Sequence, residues 1–207
     1  MLNRYFKASA ENADFIFANI AVKNIYFALI SLDYVLNRPD YDIAIYHDEH
    51  TYYFFHIQSL FTACGNIANV FYNNGFNGRK ATERCQRLRS KLQICKKDFP
   101  LVFQKEVRNT NEHFDERYEE FDNCIGDYNI LDKDTDPFIR AVVTTNPHLR
   151  TYDREHRQYI TFNRKKERII YDLPALQEEL WRMLARITGS EAFTSGWEES
   201  MPTEELK

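Results

Sequence analysis

Three polar residues on one predicted helix combine the groups that could cleave a phosphodiester. Asn109 directly follows Arg108, and His113 comes four residues later. Histidine exchanges a proton near neutral pH, so His113 could act as general acid or base. Arginine stays charged and can bind phosphate through two parallel hydrogen bonds, while Asn109 could orient that phosphate. Because RNA carries its own nucleophile in the 2′-hydroxyl group, such a site needs no metal-activated water.

Helix geometry limits how these three residues can meet. Residues five apart on an α-helix point about 140° apart, so Arg108 and His113 diverge within one chain. Asn109 and His113 share a face. A two-fold pair of helices would place two arginines and two histidines around one cleft, and the sequence therefore predicts a homodimer. Nearby acidic residues make this cleft less attractive to phosphate: Glu112, Asp115 and Glu116.

The order Arg-Asn-x-x-x-His resembles the signature of the HEPN superfamily, a group of α-helical bundle domains that includes many ribonucleases. The resemblance rests on Arg108, Asn109 and His113 in the helical context of residues 101–125. It implies a metal-independent endoribonuclease with a composite site at a dimer interface and a cyclic phosphate product. It also implies a toxin or defence protein with RNA as substrate, no cofactor, and an antitoxin protein as a partner. Residues 149–188 are similar to the hairpin-plus-helix extension of some bacterial HEPN proteins.

A strongly basic helix is the second candidate site. Arg84, Arg87 and Lys91 share one flank through their i, i+3, i+7 spacing, and we predict that they bind the phosphates of a substrate RNA. The alternative is a solvated helix face. The net charge of the whole chain is −4, so any nucleic-acid binding must depend on a local basic surface of this kind.

Other chemistries have weaker support. Residues 47–56 contain three histidines and two acids, but they stand at a helix start, where acids favour the helix dipole. We therefore predict no metal site. The sequence has no GxxxxGK, GxGxxG or GxSxG motif. The scattered cysteines predict reduced thiols in a cytoplasmic protein: Cys64, Cys85, Cys95 and Cys124.

Two functions remain as alternatives to the endoribonuclease. One is a non-catalytic helical module that dimerises or binds a protein partner. The other is an RNA-binding protein that uses the basic helix without catalysis.

Hydrophobic periodicity predicts a mainly α protein, an up-down bundle of four long helices with a small C-terminal β-hairpin and a final helix. The bundle, residues 1–126, forms the HEPN-like core. Its helices are expected at about residues 11–37, 48–73, 80–97 and 100–126.

The remaining residues, 127–207, are expected to pack on the same domain as an appended loop, hairpin and helix. Tyr128–Asp136 is predicted to be a polar loop, and Ile139–Thr145 a strand or a short helix. The hairpin spans residues 158–172, a third strand is expected near residues 149–152, and the last helix covers residues 174–188.

The most apolar stretch, Phe15–Leu36, is long enough to span a bilayer. Polar residues interrupt it and its pattern is amphipathic, so we predict a soluble helix and no membrane partner. Four further apolar residues widen its apolar side, and we expect the helix to contact more than one neighbour: Ile16, Ile20, Phe27 and Ile30.

Overall fold

The computed structural model describes residues 10–37, 45, 47–72, 78–112, 119, 128–146 and 150–189, and only the backbone of residues 10–12, 108 and 110–112. Six helices and four strands lie within these ranges. The helices are α1 (Ala10–Asn37), α2 (Glu49–Phe71), α3 (Gly78–Leu92), α4 (Lys105–Glu112), α5 (Pro137–Thr145) and α6 (Leu173–Thr188). The strands are β1 (Tyr128–Leu131), β2 (Arg150–Asp153), β3 (Gln158–Phe162) and β4 (Arg168–Asp172).

The predicted fold, an up-down bundle of four long helices with one hairpin, is wrong. The chain forms a mixed four-stranded sheet in the order β1-β2-β3-β4. Strand β1 pairs with β2 in parallel, and the other two pairs are antiparallel. The predicted polar loop Tyr128–Asp136 thus opens with a strand. A four-residue strand that pairs in parallel shows little of the alternation by which strands are found in a sequence.

Helix α5 makes the crossover that a parallel pair of strands requires. The sequence left Ile139–Thr145 open between strand and helix, and the structure has a helix. Asp136 caps it by accepting hydrogen bonds from the backbone N–H groups of Phe138 and Ile139, and Pro137 occupies its first turn. The structure confirms a strand near residues 149–152, the hairpin partners and the last helix as β2, β3, β4 and α6.

Helix α3 ends at Leu92, five residues before the predicted end at Lys97. Gln93 takes a positive φ of 52°, and the N–H of Ile94 donates to the carbonyl of Arg89 at 3.0 Å. This is the Schellman arrangement that closes many helices. Glycine usually fills the left-handed position, and a glutamine there gives no stop signal in the sequence.

The predicted fourth helix begins late, at Lys105 rather than Pro100. The side chain of Glu179 in α6 accepts the N–H groups of Leu101 and Val102 at 3.0 and 3.1 Å. A distant acceptor thus satisfies donors that would otherwise lie at the start of a longer helix. The predicted continuation from His113 to Gly126 lies outside the described residues, except Glu119, which is helical.

One core joins the helices to the sheet. Helices α1 and α2 run antiparallel, with the Tyr52 hydroxyl donating to the Tyr34 carbonyl at 3.0 Å. Tyr152, Tyr159 and Tyr171 are register neighbours across β2, β3 and β4, and none is more than 1% exposed. Phe61 of α2 packs its ring 5.2 Å from that of Tyr159 and 5.3 Å from that of Tyr171. The chain after residue 127 therefore completes the helical core.

Helix α1 is also long and apolar enough, by length and composition, to cross a membrane between Ala13 and Asn37. Its inner side packs on α2 and α6, and 44% of its most apolar window is buried. Ile25 and Leu32, which lie two turns apart on that side, are fully buried. The inner side of α1 is thus part of the core that α1 shares with α2 and α6.

Candidate functional site

Helix α4 carries two of the three predicted catalytic residues, Arg108 and Asn109. It docks through Val107, which is fully buried in the main core, and it packs on α2. Asn109 is half-buried. The description of Arg108 is limited to its helical backbone, and His113 lies outside the described residues. The predicted divergence of Arg108 and His113 within one chain, and their meeting across a two-fold pair of helices, therefore stay predictions.

A small, mainly apolar cleft whose lining includes two lysines lies between α2 and the segment that leads into α4. Its lining includes Tyr72, Lys96, Gln104 and Lys105, and its described residues include no acid. The Lys96 ammonium group stands 4.8 Å from the centre of the Tyr72 ring. The first turn of α4 adds the positive end of a helix dipole. Lys105 and Arg108 are three residues apart and therefore lie on the same side of α4.

The sequence analysis did not single out Lys96 and Lys105 as site residues. Lys96 lies within the range predicted for the basic helix, but it follows the end of α3 at Leu92. The sequence could have pointed to Lys105, because this residue precedes Arg108 by about one turn of the predicted helix. Both lysines line the cleft, and Lys105 is the first residue of α4.

The basic flank of α3 faces α1 and binds it. Arg87 donates to both carboxylate oxygens of Asp14 at 3.3 and 3.0 Å, and Lys91 donates to one of them at 3.1 Å. The Asp14 side chain is only 7% exposed. The hydrogen bond from Arg87 to Asp14 also raises the pKa of this arginine. Two of the three predicted phosphate ligands thus tie α3 to the first turns of α1.

Arg84 also points its guanidinium at α1. Its central carbon lies 3.7 Å from the centre of the Phe17 ring, a cation–π contact, and its Nε is buried without a hydrogen-bond partner. The predicted grouping of Arg84, Arg87 and Lys91 on one flank agrees with these contacts. The flank lies against α1, whereas α4 packs on α2.

The histidine-rich start of α2 has structural roles. Asp48 caps the helix by accepting the N–H of Thr51 at 2.6 Å, and this hydrogen bond lowers the pKa of the aspartate. His56 is buried and stacks on Tyr34, with 4.4 Å between ring centres. Burial lowers the pKa of His56, so this imidazole is neutral in the folded protein at pH 7.

One cluster among the described residues has the donor types of a metal site: Asp153, Glu155 and His156. Arg140 donates to Asp153 at 2.8 Å and to Glu155 at 3.0 Å. Nδ1 of His156 lies 2.9 Å from the same aspartate oxygen. A guanidinium group thus already supplies positive charge to these carboxylates, and we assign no metal here.

The described cysteines are free thiols, and of these Cys64 and Cys85 are buried while Cys95 is exposed. Burial raises the pKa of Cys64 to about 12, which keeps it protonated and unreactive. The Cys85 thiol donates to the carbonyl of Val70 at 3.2 Å.

Comparisons of the chain with protein-family models, with curated proteins and with solved structures find no match. Its function must therefore be argued from its own residues.

Proposed function

We propose that this protein is a metal-independent endoribonuclease in which Arg108, Asn109 and His113 act on the scissile phosphate. The observation that carries this proposal is the Arg-Asn-x-x-x-His sequence, which begins on a helix docked to the core beside a cleft lined by two lysines. The helix gives the site a rigid base, because Val107 anchors it in the core.

The proposed reaction uses the 2′-hydroxyl group of RNA as nucleophile. A neutral imidazole removes the hydroxyl proton while the oxygen attacks phosphorus. The bond from phosphorus to the 5′-oxygen breaks, and an imidazolium donates a proton to that leaving oxygen. The products are a 2′,3′-cyclic phosphate and a 5′-hydroxyl end. Arg108 stabilises the charge on the phosphoryl oxygens. In a homodimer, His113 of each chain supplies one of the two proton transfers.

Lys96 and Lys105 are the cations best placed to guide RNA towards α4. They line one cleft with no acidic residue among its described lining. In contrast, Asp14 compensates part of the charge of Arg87 and Lys91. Contact between RNA and the α3 flank of Arg84, Arg87 and Lys91 remains a prediction. We expect this flank to contribute less to RNA binding than Lys96 and Lys105 do.

The experiment is cleavage of a labelled single-stranded RNA by the purified full chain in EDTA. Arg108→Ala and His113→Ala should each lower the rate by about 10²–10⁴, as loss of an acid–base group does. Matched controls are Arg79→Ala, whose side chain is 91% exposed, and His50→Ala, at another exposed position. Both controls should keep full activity. Mass spectrometry should find cyclic phosphate ends.

Three outcomes would reject the enzyme. The first is wild-type protein that cuts no RNA. The second is activity that EDTA removes and Mg²⁺ restores. The third is equal activity in His113→Ala and wild type at equal thermal stability. A single 2′-deoxy substitution at the cleavage position should block cutting there, because it removes the nucleophile.

The resemblance suggests a toxin or defence protein that acts on RNA in the cytoplasm and is held in check by an antitoxin protein. Expression of the wild type should then arrest growth, and His113→Ala should relieve the arrest at equal protein level. Normal growth with both proteins would argue against this role while leaving the RNA-cleavage test in force.

A non-catalytic helical interaction module is the second candidate. The observation that favours it is the outer surface of α1, where Ile16, Ile20, Phe27 and Ile30 are exposed. Lys23 is the one charged residue of α1 between Phe15 and Leu32, and such depletion of charge is typical of the centre of a protein interface. Binding to a protein partner without any RNA cleavage would select this function over the first.

A further inference from the structure

The outer side of α1 carries five residues at the spacing by which helices pack along one another. We name them the outer seam, and they are separated by steps of four, three, four and three positions: Ile16, Ile20, Lys23, Phe27 and Ile30. At 100° per residue, all five fall within an arc of about 80° around the helix axis. This is the repeat that places side chains of one helix between those of a second helix.

The apolar members of the outer seam are exposed. In chain order, their exposed fractions are 51%, 37%, 59% and 53%. On the opposite side of α1, Ile25 and Leu32 are fully buried in the core. A continuous stripe of large exposed apolar side chains marks a surface that binds a partner. The outer seam is therefore a second packing surface of α1, in addition to its core side.

A groove lies between the outer seam and α2. Phe27 and Ile30 of α1 line one side of it, and Phe55 of α2 lines the other. Four of the remaining lining residues have small side chains: Ser31, Ser59, Thr62 and Ala63. Helix axes pack 8–10 Å apart, at distances that depend on the size of the side chains at the contact. Small residues between two larger walls therefore leave room for a third helix.

The polar edge of this groove is neutral. The amide nitrogen of Asn24 donates to the Ile20 carbonyl at 2.8 Å, and its amide oxygen accepts the amide nitrogen of Asn66 at 3.0 Å. The described lining of the groove includes no aspartate, glutamate, lysine or arginine. Lys23 is also the only charged residue of α1 between Phe15 and Leu32. A single charge thus stands beside an otherwise neutral groove.

Lys23 is the central member of the outer seam. A partner that covers the four apolar residues also takes water from the Lys23 ammonium group, and this is costly unless an acid pairs with the lysine. A single polar residue at a seam position selects the partner and its register in coiled coils. A second copy of this chain would place two such lysines together when the seams align. Lys23 therefore favours a different partner, with a carboxylate at the opposing position.

We propose that the outer seam and the groove beside it bind one amphipathic helix of another protein, with an acidic residue at the centre of its apolar stripe. Helix-in-groove binding of this kind uses anchors at i, i+3, i+4 and i+7. From Ile16 to Ile30 the seam rises about 21 Å, so a partner helix of about 15–18 residues covers it. Because Lys23 is central, the acid of the partner meets it in either chain direction. The inference rests on the second candidate function, the helical interaction module, and is independent of the proposed enzyme.

Other occupants suit this surface less well. RNA is a poor occupant, because one lysine cannot neutralise several phosphates. A bilayer is also a poor occupant, because Thr62 and Asn66 would lose hydrogen bonds to water in lipid. A partner helix can instead place its own polar side chains opposite these two residues.

The test compares two synthetic peptides by fluorescence anisotropy with the purified full chain. Each peptide is a helix of about 18 residues with a five-member stripe at the same 4-3-4-3 spacing, leucine at the four outer stripe positions, and alanine and glutamine elsewhere. The central stripe residue is glutamate in one peptide and lysine in the other. Wild type should bind the glutamate peptide about 30-fold more tightly, because the lysine peptide brings two ammonium groups together.

Two variants and a matched control locate the site. Lys23→Glu should reverse the preference, so that the lysine peptide binds more tightly. Phe27→Lys should weaken binding of both peptides by about 30-fold, as loss of an interface hot spot does. Lys133→Glu makes the same charge change at an exposed lysine in the turn before α5, and it should keep the wild-type preference. Circular dichroism should show equal melting for all variants, because each changed side chain is exposed.

Several results would overturn the inference. They are failure of both peptides to bind at about 100 μM, equal binding of both peptides to wild type, and a preference that Lys133→Glu changes as much as Lys23→Glu does. Self-association of wild type that Phe27→Lys abolishes would assign the seam to a second copy. Binding to neutral phosphatidylcholine vesicles that Phe27→Lys abolishes would assign it to lipid.

An RNA-cleavage assay on the same samples separates this inference from the proposed enzyme. Peptide binding with the expected charge preference but without RNA cleavage would reject the enzyme and retain the helix-binding surface. RNA cleavage without peptide binding would retain the enzyme and reject that surface.

Discussion

Helices α2 and α3 use charge in opposite ways. After Glu49, α2 has no charged residue, and it exposes phenylalanine, threonine and asparagine on its outer side. Nearly half of α3 is charged, yet its most suggestive cations already bind groups within the chain. Arg87 and Lys91 hold Asp14, and Arg89 donates to the Phe71 carbonyl at 2.5 Å.

The difference teaches that a charged face and a binding face need not coincide. A basic run in a sequence suggests phosphate binding, but in α3 Arg87 and Lys91 bind Asp14 of α1. The absence of charge on an exposed face is the stronger sign of a partner, because a solvated surface normally carries charge.

The largest expected effect concerns the inner side of α2. Phe61→Ala removes a ring that packs against Tyr159 and Tyr171, and it should lower the free energy of unfolding by about 3–5 kcal/mol. Thr62→Ala, one residue further and exposed, should change it by less than about 0.5 kcal/mol. Urea denaturation measures both. Equal losses would show that α2 has no distinct inner and outer sides.

A smaller effect should follow from removing the anchor of the basic flank. Asp14→Ala should cost about 1–2 kcal/mol of stability, because its partners are 40% and 41% exposed and solvent screens them. It should also free Arg87 and Lys91, so RNA binding should strengthen and its salt dependence steepen by about one or two phosphate contacts. Fluorescence anisotropy at several salt concentrations tests this.

The control for that variant is Glu83→Ala, which removes the same charge from an exposed pair with Arg79. It should leave the salt slope unchanged. If Asp14→Ala and Glu83→Ala behave alike, the flank responds only to net charge and holds no latent phosphate site.

Sequence periodicity found the elements that depend on one clear apolar stripe. Helices α1, α2 and α6 lie within a few residues of their predicted ranges because their buried faces repeat every three to four residues. The end of α3 and the start of α4 were misplaced because their causes are not local. Gln93 adopts a glycine-like conformation, and Glu179 supplies an acceptor from far along the chain.

The same reasoning explains what the sequence could say about the site. The order Arg-Asn-x-x-x-His is a local pattern, and its first two residues are helical as predicted. The cleft with Lys96 and Lys105 is a tertiary feature, since it forms where α2 meets the approach to α4. The pairing of Asp14 with α3 joins residues more than 70 positions apart, and no spacing rule reveals it.

A pH-dependent effect is expected from His56 on α2. Burial lowers its pKa in the folded state, whereas the unfolded chain takes up a proton near pH 6.5. The neutral form of His56 therefore contributes its full stabilisation of the folded state above pH 6.5. This contribution is lost as the pH falls from 6.5 towards the folded-state pKa of His56, at up to about 1.4 kcal/mol per pH unit. His56→Phe should flatten this slope in thermal melts, and His50→Ala should not. An unchanged slope in His56→Phe would assign the acid sensitivity to other groups.

The smallest effect concerns the end of α3. Gln93→Gly should stabilise the protein by about 0.5–1 kcal/mol, because glycine tolerates a positive φ that glutamine adopts at a cost. Ser90→Gly, at an exposed position within the helix, should instead lower stability by about 0.5 kcal/mol. Two losses of equal size would show that Gln93 is not strained.

The contact from Glu179 to the approach of α4 has a consequence for protein synthesis. The amide of Val102 emerges 77 residues before the carboxylate that accepts it. At about 5–20 residues per second, that interval lasts roughly 4–15 seconds. During this time the segment before α4 lacks its acceptor, although α2, on which α4 packs, has already been made. The growing chain therefore fixes the approach to α4 only after α6 has been made.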